Sequence, residues 1–349
     1  MNEIDFKMAG KTGEGADTKA PRSVRVEAPG RLHLGLLDLA GDLGRRFGSI
    51  GLALDQPRLR LTASLSDRLS VEAEDAIRIE RYVHKVIDLL GLPEGLGNQV
   101  RIVIEEELPS HAGFGSGTQM ALSVGAALAA LGGVPFDAPR LAAGLDRGAR
   151  SGIGLTAFLK GGFVVDGGRG PRSVVPPTIS RLPFPEDWRV ILVLDDSIVG
   201  VHGPQEAEAF RQLPPLAPET AAWLCRLTMM KLLPSLIEID VTEFGSAVTE
   251  IQERLGDHFA PAQNGRRFVS PSVSEALAAF LDAGAAGVGQ SSWGPTGFAI
   301  AGSEDEAKRL LDEVVMNCHS ASHLKFLVTR GRNRGALITP PAGLASDRS

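Results

Sequence analysis

Apolar and polar positions alternate along three stretches in the first third of the chain, and a two-residue period is typical of β-strands. The stretches read SVRVEAPGRLHLGLL from residue 23, PRLRLTAS from residue 57 and NQVRIVIEEE from residue 98. In the last of them Val100, Ile102 and Ile104 share one face. These patterns predict strands that bury one side.

A period of three to four residues marks the segments that predict helices. DAIRIERYVHKVIDLLG spaces its apolar residues at helical intervals, and Gly91 suits the end of that helix. Residues 116–132 are rich in Ala, Leu and Val and predict a buried helix. Asp137, as an N-cap, and Pro139, in the first turn, predict the start of another.

The second half of the chain interleaves strands and helices without regular βαβ alternation, which predicts an α+β fold in two domains. WRVILVLDD predicts a buried strand, and GVGQSSWGPTGFAIAG predicts two strands joined by a tight glycine loop. Residues 167–187 hold several Pro and Gly residues with little periodicity, so we expect the domain join there. The predicted parts are a disordered tail (1–22), an N-terminal domain (23–175) and a C-terminal domain (186–340).

The composition is that of a globular protein, with 43% hydrophobic and 22% charged residues among 349. The net charge of −6 predicts no general attraction to nucleic acid or to an anionic membrane, although a local basic pocket is compatible with it. Cys225 and Cys318 lie far apart, which favours a reducing cytoplasm over a disulfide framework or a zinc site. The first residues contain no apolar core segment, so we expect no secretory signal.

A glycine-rich stretch, PSHAGFGSGT at 109–118, directly precedes the predicted buried helix. The first N–H groups of a helix lack intrahelical partners and carry partial positive charge, and glycines let phosphate oxygens approach the backbone. No Lys follows the glycines as a Walker A loop requires, and Phe114 and Thr118 stand where a nucleophile elbow needs glycine. The stretch predicts a phosphate-binding loop or, with equal weight, only a capped core helix.

Two further stretches contain basic side chains that could bind an anion. In APGRLHLGLLDL, Arg31 and His33 share the strand face opposite two leucines. RGARSGIGLTAFLKGG places Arg147, Arg150 and Ser151 beside glycines. A guanidinium suits phosphate or carboxylate, whereas the alternative for the strand residues is a solvated face.

The loop GQSSWGPTG, 289–297, packs polar residues and a tryptophan between glycines. Trp293 can stack on a sugar or an aromatic ring, while Gln290 and the two serines can hydrogen-bond it. The alternative is a tight turn whose tryptophan fills a gap in the core.

Together these stretches resemble the motifs of the GHMP kinase superfamily: APGRLHLG its first motif, PSHAGFGSGTQ its phosphate loop and GAAGVGQSSWGPTGFAI its third. One branch, the β-ribofuranosylaminobenzene 5′-phosphate synthases, is similar also in GRLHLGLLDL, GSIGLAL, GFGSGTQMAL, RSGIGLTAF, GGFVVDGG and GQSSWGP. The resemblance covers about 23–340. It implies an N-terminal fold like ribosomal protein S5 domain 2, a C-terminal ferredoxin-like sandwich and a homodimer.

The branch implies a pentosyl transferase. Phosphoribosyl pyrophosphate and 4-aminobenzoate, or 4-hydroxybenzoate in some members, give the ribosylated aromatic phosphate, CO₂ and pyrophosphate in methanopterin biosynthesis. We expect Mg²⁺ as cofactor and small-molecule partners only, with no nucleic acid or membrane. The alternatives are an ATP-dependent GHMP small-molecule kinase and a non-catalytic protein that binds phosphoribosyl pyrophosphate. Gly117 stands where the kinases usually have a second serine, and His33 where they have Asn, which weakens the kinase hypothesis.

From the residue types and the resemblance we predict two sets of site residues. The expected catalytic residues are Arg31, His33, Ser116, Arg150 and Gln290. The residues expected to bind substrate or phosphate are His111, Gly113, Gly115, Ser116, Gly117, Thr118, Ser151, Ser291, Ser292 and Trp293. Ser116 or Thr118 can also contribute a hydroxyl to a metal ion.

Overall fold

The computed structural model describes residues 21–198, 200, 208 and 211–339. The predicted tail over 1–22 therefore lies, apart from its last two residues, outside the described part of the chain. Within that part, every helix is too short or too polar to span a bilayer.

The first sheet is built on a long antiparallel pair and has seven strands. Its strands are β1 (Ser23–Asp38), β2 (Phe47–Leu65), β3 (Ser70–Glu72), β4 (Val100–Glu106), β5 (Phe163–Asp166), β6 (Thr178–Leu182) and, from the end of the chain, β11 (Leu337–Thr339). All three alternating stretches form strands, β1, β2 and β4, as predicted, and the structure places them in this one sheet. In β4 the alternation is incomplete in its second half, where the side chains are only partly buried.

Five helices accompany this sheet: α1 (Ala76–Leu90), α2 (Glu94–Asn98), α3 (Ser116–Gly132), α4 (Ala138–Gly144) and α5 (Ile153–Lys160). The carboxylates of Asp75 and Asp137 cap α1 and α4, and Gly91 ends α1 in the left-handed conformation. Helix α3 is buried on almost every side because its residues are small and apolar. The helices α1, α3 and α4 agree with the sequence prediction, whereas α2 and α5 were not predicted.

The second sheet has four antiparallel strands in the order β10-β7-β9-β8. They are β7 (Arg189–Leu194), β8 (Gly287–Gln290), β9 (Gly297–Ala301) and β10 (Lys325–Thr329). Its described helices are α6 (Pro218–Leu227), α7 (Leu233–Glu238), α8 (Val241–Phe259), α9 (Pro271–Asp282) and α10 (Glu304–Asn317), with a π-helical turn at Thr228–Leu232 and 3₁₀ turns at Ala260–Gln263 and His319–His323.

The two halves are joined more closely than the predicted boundaries suggest. Strand β6 lies inside the expected join and pairs with β5, while β11, assigned to the C-terminal domain, pairs with β1 of the first sheet. Phe163 of β5 and Phe184 both pack edge-on against Phe244 of α8, with ring centroids 5.4 and 6.0 Å apart. A strand of only three residues carries too little pattern to show which sheet it joins. The pairing of β11 with β1 therefore could not be predicted from the sequence.

Candidate functional site

A cleft of about 320 Å³ lies where the two halves meet. Its walls come from the strand β1, the end of the loop after α4, helix α8 and the loop between β8 and β9. The predicted site residues that line it are Arg31, His33, Thr118, Arg150, Ser151, Gln290, Ser292 and Trp293. The structure thus brings residues from four separate motifs into one cavity.

The glycine-rich loop enters α3 in a conformation that only glycine adopts easily. Gly113 and Gly115 have φ of +91° and +74°. The buried Phe114 anchors the loop, and its carbonyl accepts a hydrogen bond of 3.1 Å from the N–H of Arg31. No side chain in the described part of the chain caps the first turn of α3. This is the arrangement that an anion-binding helix start requires.

Two arginines lie against this loop, one at each glycine beside Ser116. A Cβ on Gly115 would lie 3.1 Å from Nε and Cζ of Arg31, whose guanidinium also donates to the Gly113 carbonyl. A Cβ on Gly117 would lie 3.1 Å from a guanidinium nitrogen of Arg147. Arg147 also lines the cleft, although the predicted site sets omit it.

The cleft has a strongly cationic lining within a protein of net charge −6. Among the described residues, four arginines and one carboxylate line it: Arg31, Arg147, Arg150 and Arg267, and Asp146. Arg267 is ion-paired with Asp257 and Glu253, at 2.9 and 2.7 Å. The cleft is therefore a local basic pocket, which suits a small polyanion and is compatible with the negative net charge of the chain.

His33 is neutral at physiological pH because of where it lies. Only 8% of the residue is exposed. Burial lowers the pKa of its imidazole to about 3, and the positive charges of Arg31 and Arg150 act in the same direction. A neutral imidazole can donate one hydrogen bond and accept one, but it does not add to the positive charge of the cleft.

The β8–β9 loop is tied to the other two motifs through the fully buried Ser291. Its hydroxyl donates to the Gly113 carbonyl at 2.7 Å and accepts from the N–H of His33 at 3.0 Å. The next N–H, of Ser292, donates to the His33 carbonyl at 3.1 Å. Ser291 therefore fixes the phosphate loop, β1 and the β8–β9 loop relative to one another.

The side-chain amide of Gln290 is engaged by the protein itself. It accepts from the N–H of Val269 at 2.6 Å and donates to the Ser292 carbonyl at 2.9 Å and to Gln263 at 3.2 Å. This geometry favours a role in shaping the wall of the cleft over the predicted catalytic contact.

Trp293 fills the core and also reaches the cleft. It is 3% exposed and packs edge-on against Phe259, with ring centroids 5.0 Å apart, so it fills the core. Both aromatic residues nevertheless line the cleft. The cavity therefore joins an apolar aromatic wall to a cationic one.

Asp166 supports the site from behind, and sequence reasoning missed it. Its buried carboxylate accepts hydrogen bonds from the N–H groups of Ser49, Gly152 and Gly168 at 2.8–3.1 Å, and from the Ser151 hydroxyl at 3.4 Å. Burial raises the pKa of this carboxyl, while the N–H donors oppose the rise. The contacts hold Ser151 at the start of α5. The sequence feature that could have revealed Asp166 is an aspartate placed between a strand and two glycines in GGFVVDGG.

The remaining predicted residues differ in their access to the cleft. His111 is exposed, has φ of +58° and does not line the cavity. Ser116, the first residue of α3, is half-buried and is not among the lining residues, whereas Thr118 is. Among the described residues, no three His, Cys, Asp or Glu side chains group together as a metal site.

The chain is similar to the GHMP kinases N terminal domain family over residues 80–162 and to the GHMP kinases C terminal family over residues 232–318. It is 32% identical to the β-ribofuranosylphenol 5′-phosphate synthase of Methanothermobacter thermautotrophicus over 332 residues, which cover 90% of this chain and 98% of the relative. The Archaeoglobus fulgidus protein of the same name is 34% identical, with 90% and 99% covered.

Solved structures confirm the predicted fold. The homoserine kinase of Cytophaga hutchinsonii matches with a TM-score of 0.66 at 20% identity, covering 94% of this chain and all of that one. Mevalonate diphosphate decarboxylase from Staphylococcus aureus matches with a TM-score of 0.63 at 14% identity, covering 91% and 98%. At these identities the likeness concerns the fold alone.

Proposed function

The chain belongs to the β-ribofuranosylphenol 5′-phosphate synthase family, and on this premise we propose that it is a decarboxylating phosphoribosyl transferase. Its substrates are phosphoribosyl pyrophosphate and a benzoate with an electron-donating para group, and its product leads towards methanopterin-type cofactors. The names of the relatives specify a phenol, which favours 4-hydroxybenzoate; 4-aminobenzoate is the alternative acceptor. The observation that carries the proposal is one cleft that brings together Thr118 from the uncapped start of α3, a group of arginines and an aromatic wall.

The first step of the proposed reaction is departure of pyrophosphate. The bond between ribose C1 and the diphosphate oxygen breaks, and its electron pair leaves with the diphosphate. In this proposal the donors to the leaving group are the first N–H groups of α3 and the guanidinium of Arg31, which the Gly113 carbonyl holds in place. Because its charge grows as the bond breaks, such donors stabilise the transition state more than the ground state.

The second step joins the sugar to the ring. Ribose C1, left with oxocarbenium character, is attacked by the ring carbon that bears the carboxylate. The para oxygen or nitrogen feeds electrons into the ring and stabilises the resulting cation. The bond to the carboxylate then breaks, its electron pair restores aromaticity, and CO₂ leaves.

This sequence needs no general base on the ring, because the departing electrophile is CO₂ rather than a proton. The neutral, buried His33 suits it, since an imidazole with a pKa of about 3 does not serve as a base at neutral pH. Holding both substrates in one small cavity supplies part of the rate through orientation.

Arg150 and Ser151 are the proposed anchors for the 5′-phosphate or the benzoate carboxylate. Both line the cleft, and Asp166 fixes the backbone beside them. A strong ion pair with the benzoate would oppose its loss as neutral CO₂. We therefore expect that replacing the carboxylate anchor raises KM with a limited fall in kcat.

Magnesium fits the site as a substrate-bound ion. The cleft offers the Thr118 hydroxyl and the Asp146 carboxylate, and Mg²⁺ commonly combines one or two protein oxygens with phosphate oxygens and water. When bound, such an ion would neutralise part of the diphosphate charge. The homodimer is a proposal from the family resemblance, and light scattering tests it. The cytoplasmic location is a proposal from the two separate cysteines.

The test is an assay of labelled CO₂. The protein is incubated with Mg²⁺, phosphoribosyl pyrophosphate and carboxyl-labelled 4-hydroxybenzoate or 4-aminobenzoate, and CO₂ and pyrophosphate are measured. We expect release of both with one acceptor preferred, and an Arg31→Ala variant at least tenfold slower. ADP formation with an alcohol acceptor would instead identify a kinase, and binding without turnover a non-catalytic protein.

A further inference from the structure

Gly117 provides the space that Arg147 occupies beside the phosphate loop. A Cβ at this position would lie 3.1 and 3.5 Å from the two terminal guanidinium nitrogens of Arg147 and 3.3 Å from Cζ. Gly117 is helical and does not have a positive φ, in contrast to Gly113 and Gly115. Its backbone conformation would therefore accept any residue, and the neighbouring guanidinium is what a side chain would disturb.

Arg147 is held in this place from the other side by Tyr82, the single tyrosine of the chain. A guanidinium nitrogen donates to the Tyr82 hydroxyl, and Cζ lies 5.7 Å from the ring centroid, within range of a cation–π contact. Tyr82 is itself buried in α1. The N–H of Arg147 donates to the Ala142 carbonyl at 2.7 Å, which fixes the start of the side chain.

The cation of Arg147 is left without a counter-ion within the described part of the chain. It forms no ion pair with a described carboxylate, and its buried Nε has no hydrogen-bond partner there. Other arginines near the cleft differ: Arg267, for example, is paired with two carboxylates. A fixed, uncompensated guanidinium at an uncapped helix start favours an incoming anion.

We propose that Arg147 is a catalytic residue that binds the diphosphate leaving group, that Tyr82 positions it, and that glycine at 117 leaves room for its guanidinium. The inference rests on the proposed function for the identity of the anion. A guanidinium fixed before the reaction begins pays no reorganisation cost as charge develops on the diphosphate. Arg31, beside Gly115, and Arg147, beside Gly117, then both hold the leaving group.

The direct test is calorimetric binding of inorganic pyrophosphate, which needs no turnover. Arg147→Ala should weaken binding about 10- to 100-fold, Arg147→Lys less, and Tyr82→Phe about 3- to 10-fold, since it keeps the ring and removes the hydroxyl. Arg172→Ala, on an exposed arginine away from the cleft, is the matched control and should bind as wild type. Unchanged affinity in Arg147→Ala would overturn the proposal.

A double-mutant cycle tests the part played by Gly117. Gly117→Ser should displace the guanidinium and weaken pyrophosphate binding nearly as much as Arg147→Ala, and the double variant should be within about twofold of Arg147→Ala. Gly95→Ser is the control, because a side chain on that helical glycine meets nothing within 4 Å. If the losses of pyrophosphate affinity in the two single variants multiply in the double variant, Gly117 does not act through Arg147.

Kinetics separate a catalytic role from a purely structural one. Arg147→Ala should lower kcat as well as raise KM for phosphoribosyl pyrophosphate, while KM for the benzoate stays unchanged. If the wild-type protein binds pyrophosphate but releases no CO₂ with either benzoate, the proposed reaction fails while the binding tests of Arg147 still stand.

Discussion

Replacing His33 by asparagine should remove a specific part of the pH dependence of stability. In the folded protein the imidazole has a pKa of about 3, whereas its ordinary value is 6.5. Between these values the unfolded chain binds one more proton than the folded one, so this residue lowers stability as the pH falls through that window. The sign is that of a base whose pKa is depressed on folding.

The expected magnitude follows from the two pKa values. At about 1.36 kcal/mol per pKa unit, lowering the pH from 8 to 5 costs the wild-type protein about 2 kcal/mol through His33. The full interval from 6.5 down to about 3 corresponds to about 4–5 kcal/mol. Other groups titrate in the same range, so the quantity of interest is the difference between the wild type and the variant.

Urea unfolding at pH 5, 6, 7 and 8 measures that difference. The free energy of unfolding of His33→Asn should fall less with acidification than that of the wild type, by about 2 kcal/mol at pH 5. His84→Asn makes the same substitution on the exposed surface of α1 and serves as the matched control. Parallel pH curves for the wild type and His33→Asn would refute the buried, neutral assignment.

Three further substitutions test the supports of the cleft. Ser291→Ala removes the bridge between Gly113 and His33 and should lower the free energy of unfolding by about 1–3 kcal/mol, with a higher KM for phosphoribosyl pyrophosphate; wild-type stability and KM together would contradict the bridge. Asp166→Asn presents an NH₂ group to N–H donors and should lower the free energy of unfolding in urea by about 1–3 kcal/mol. A wild-type free energy of unfolding in this variant would argue that residue 166 does not have to be an acceptor only. Trp293→Leu should raise KM for the benzoate selectively in steady-state kinetics, and a change confined to the other substrate would count against the aromatic wall.

The strands were predictable where one face alone is buried. The alternation in β1, β2 and β4 follows from that one-sided burial, and the helix α3 followed from its small apolar residues. Strand β11 was not assigned to its sheet, because pairing between the two ends of the chain leaves no local pattern. Sequence periodicity therefore predicted the positions of strands and helices better than it predicted which strands pair.

In the site, too, local motifs were predictable and tertiary contacts were not. Motifs located the phosphate loop, Arg31 of β1 and Arg150 ahead of α5, because each motif is contiguous in sequence. Arg147 and Asp166 acquire their significance only from tertiary contacts, with Tyr82 and Gly117 in one case and Ser49 in the other. Gly117 was noted as a departure from the kinase motif, and the adjacent guanidinium supplies a physical reason for it.

The most direct test of the proposed chemistry is the bond that the reaction forms. Phosphoribosyl pyrophosphate labelled with ¹³C at ribose C1 is incubated with Mg²⁺ and a benzoate labelled with ¹³C at the ring carbon that bears the carboxylate. We predict a product whose ¹³C spectrum shows direct one-bond coupling between the two labels, with CO₂ and pyrophosphate released in equal amounts. A product in which C1 is bonded to the para oxygen or nitrogen, with the carboxylate retained, would contradict the account.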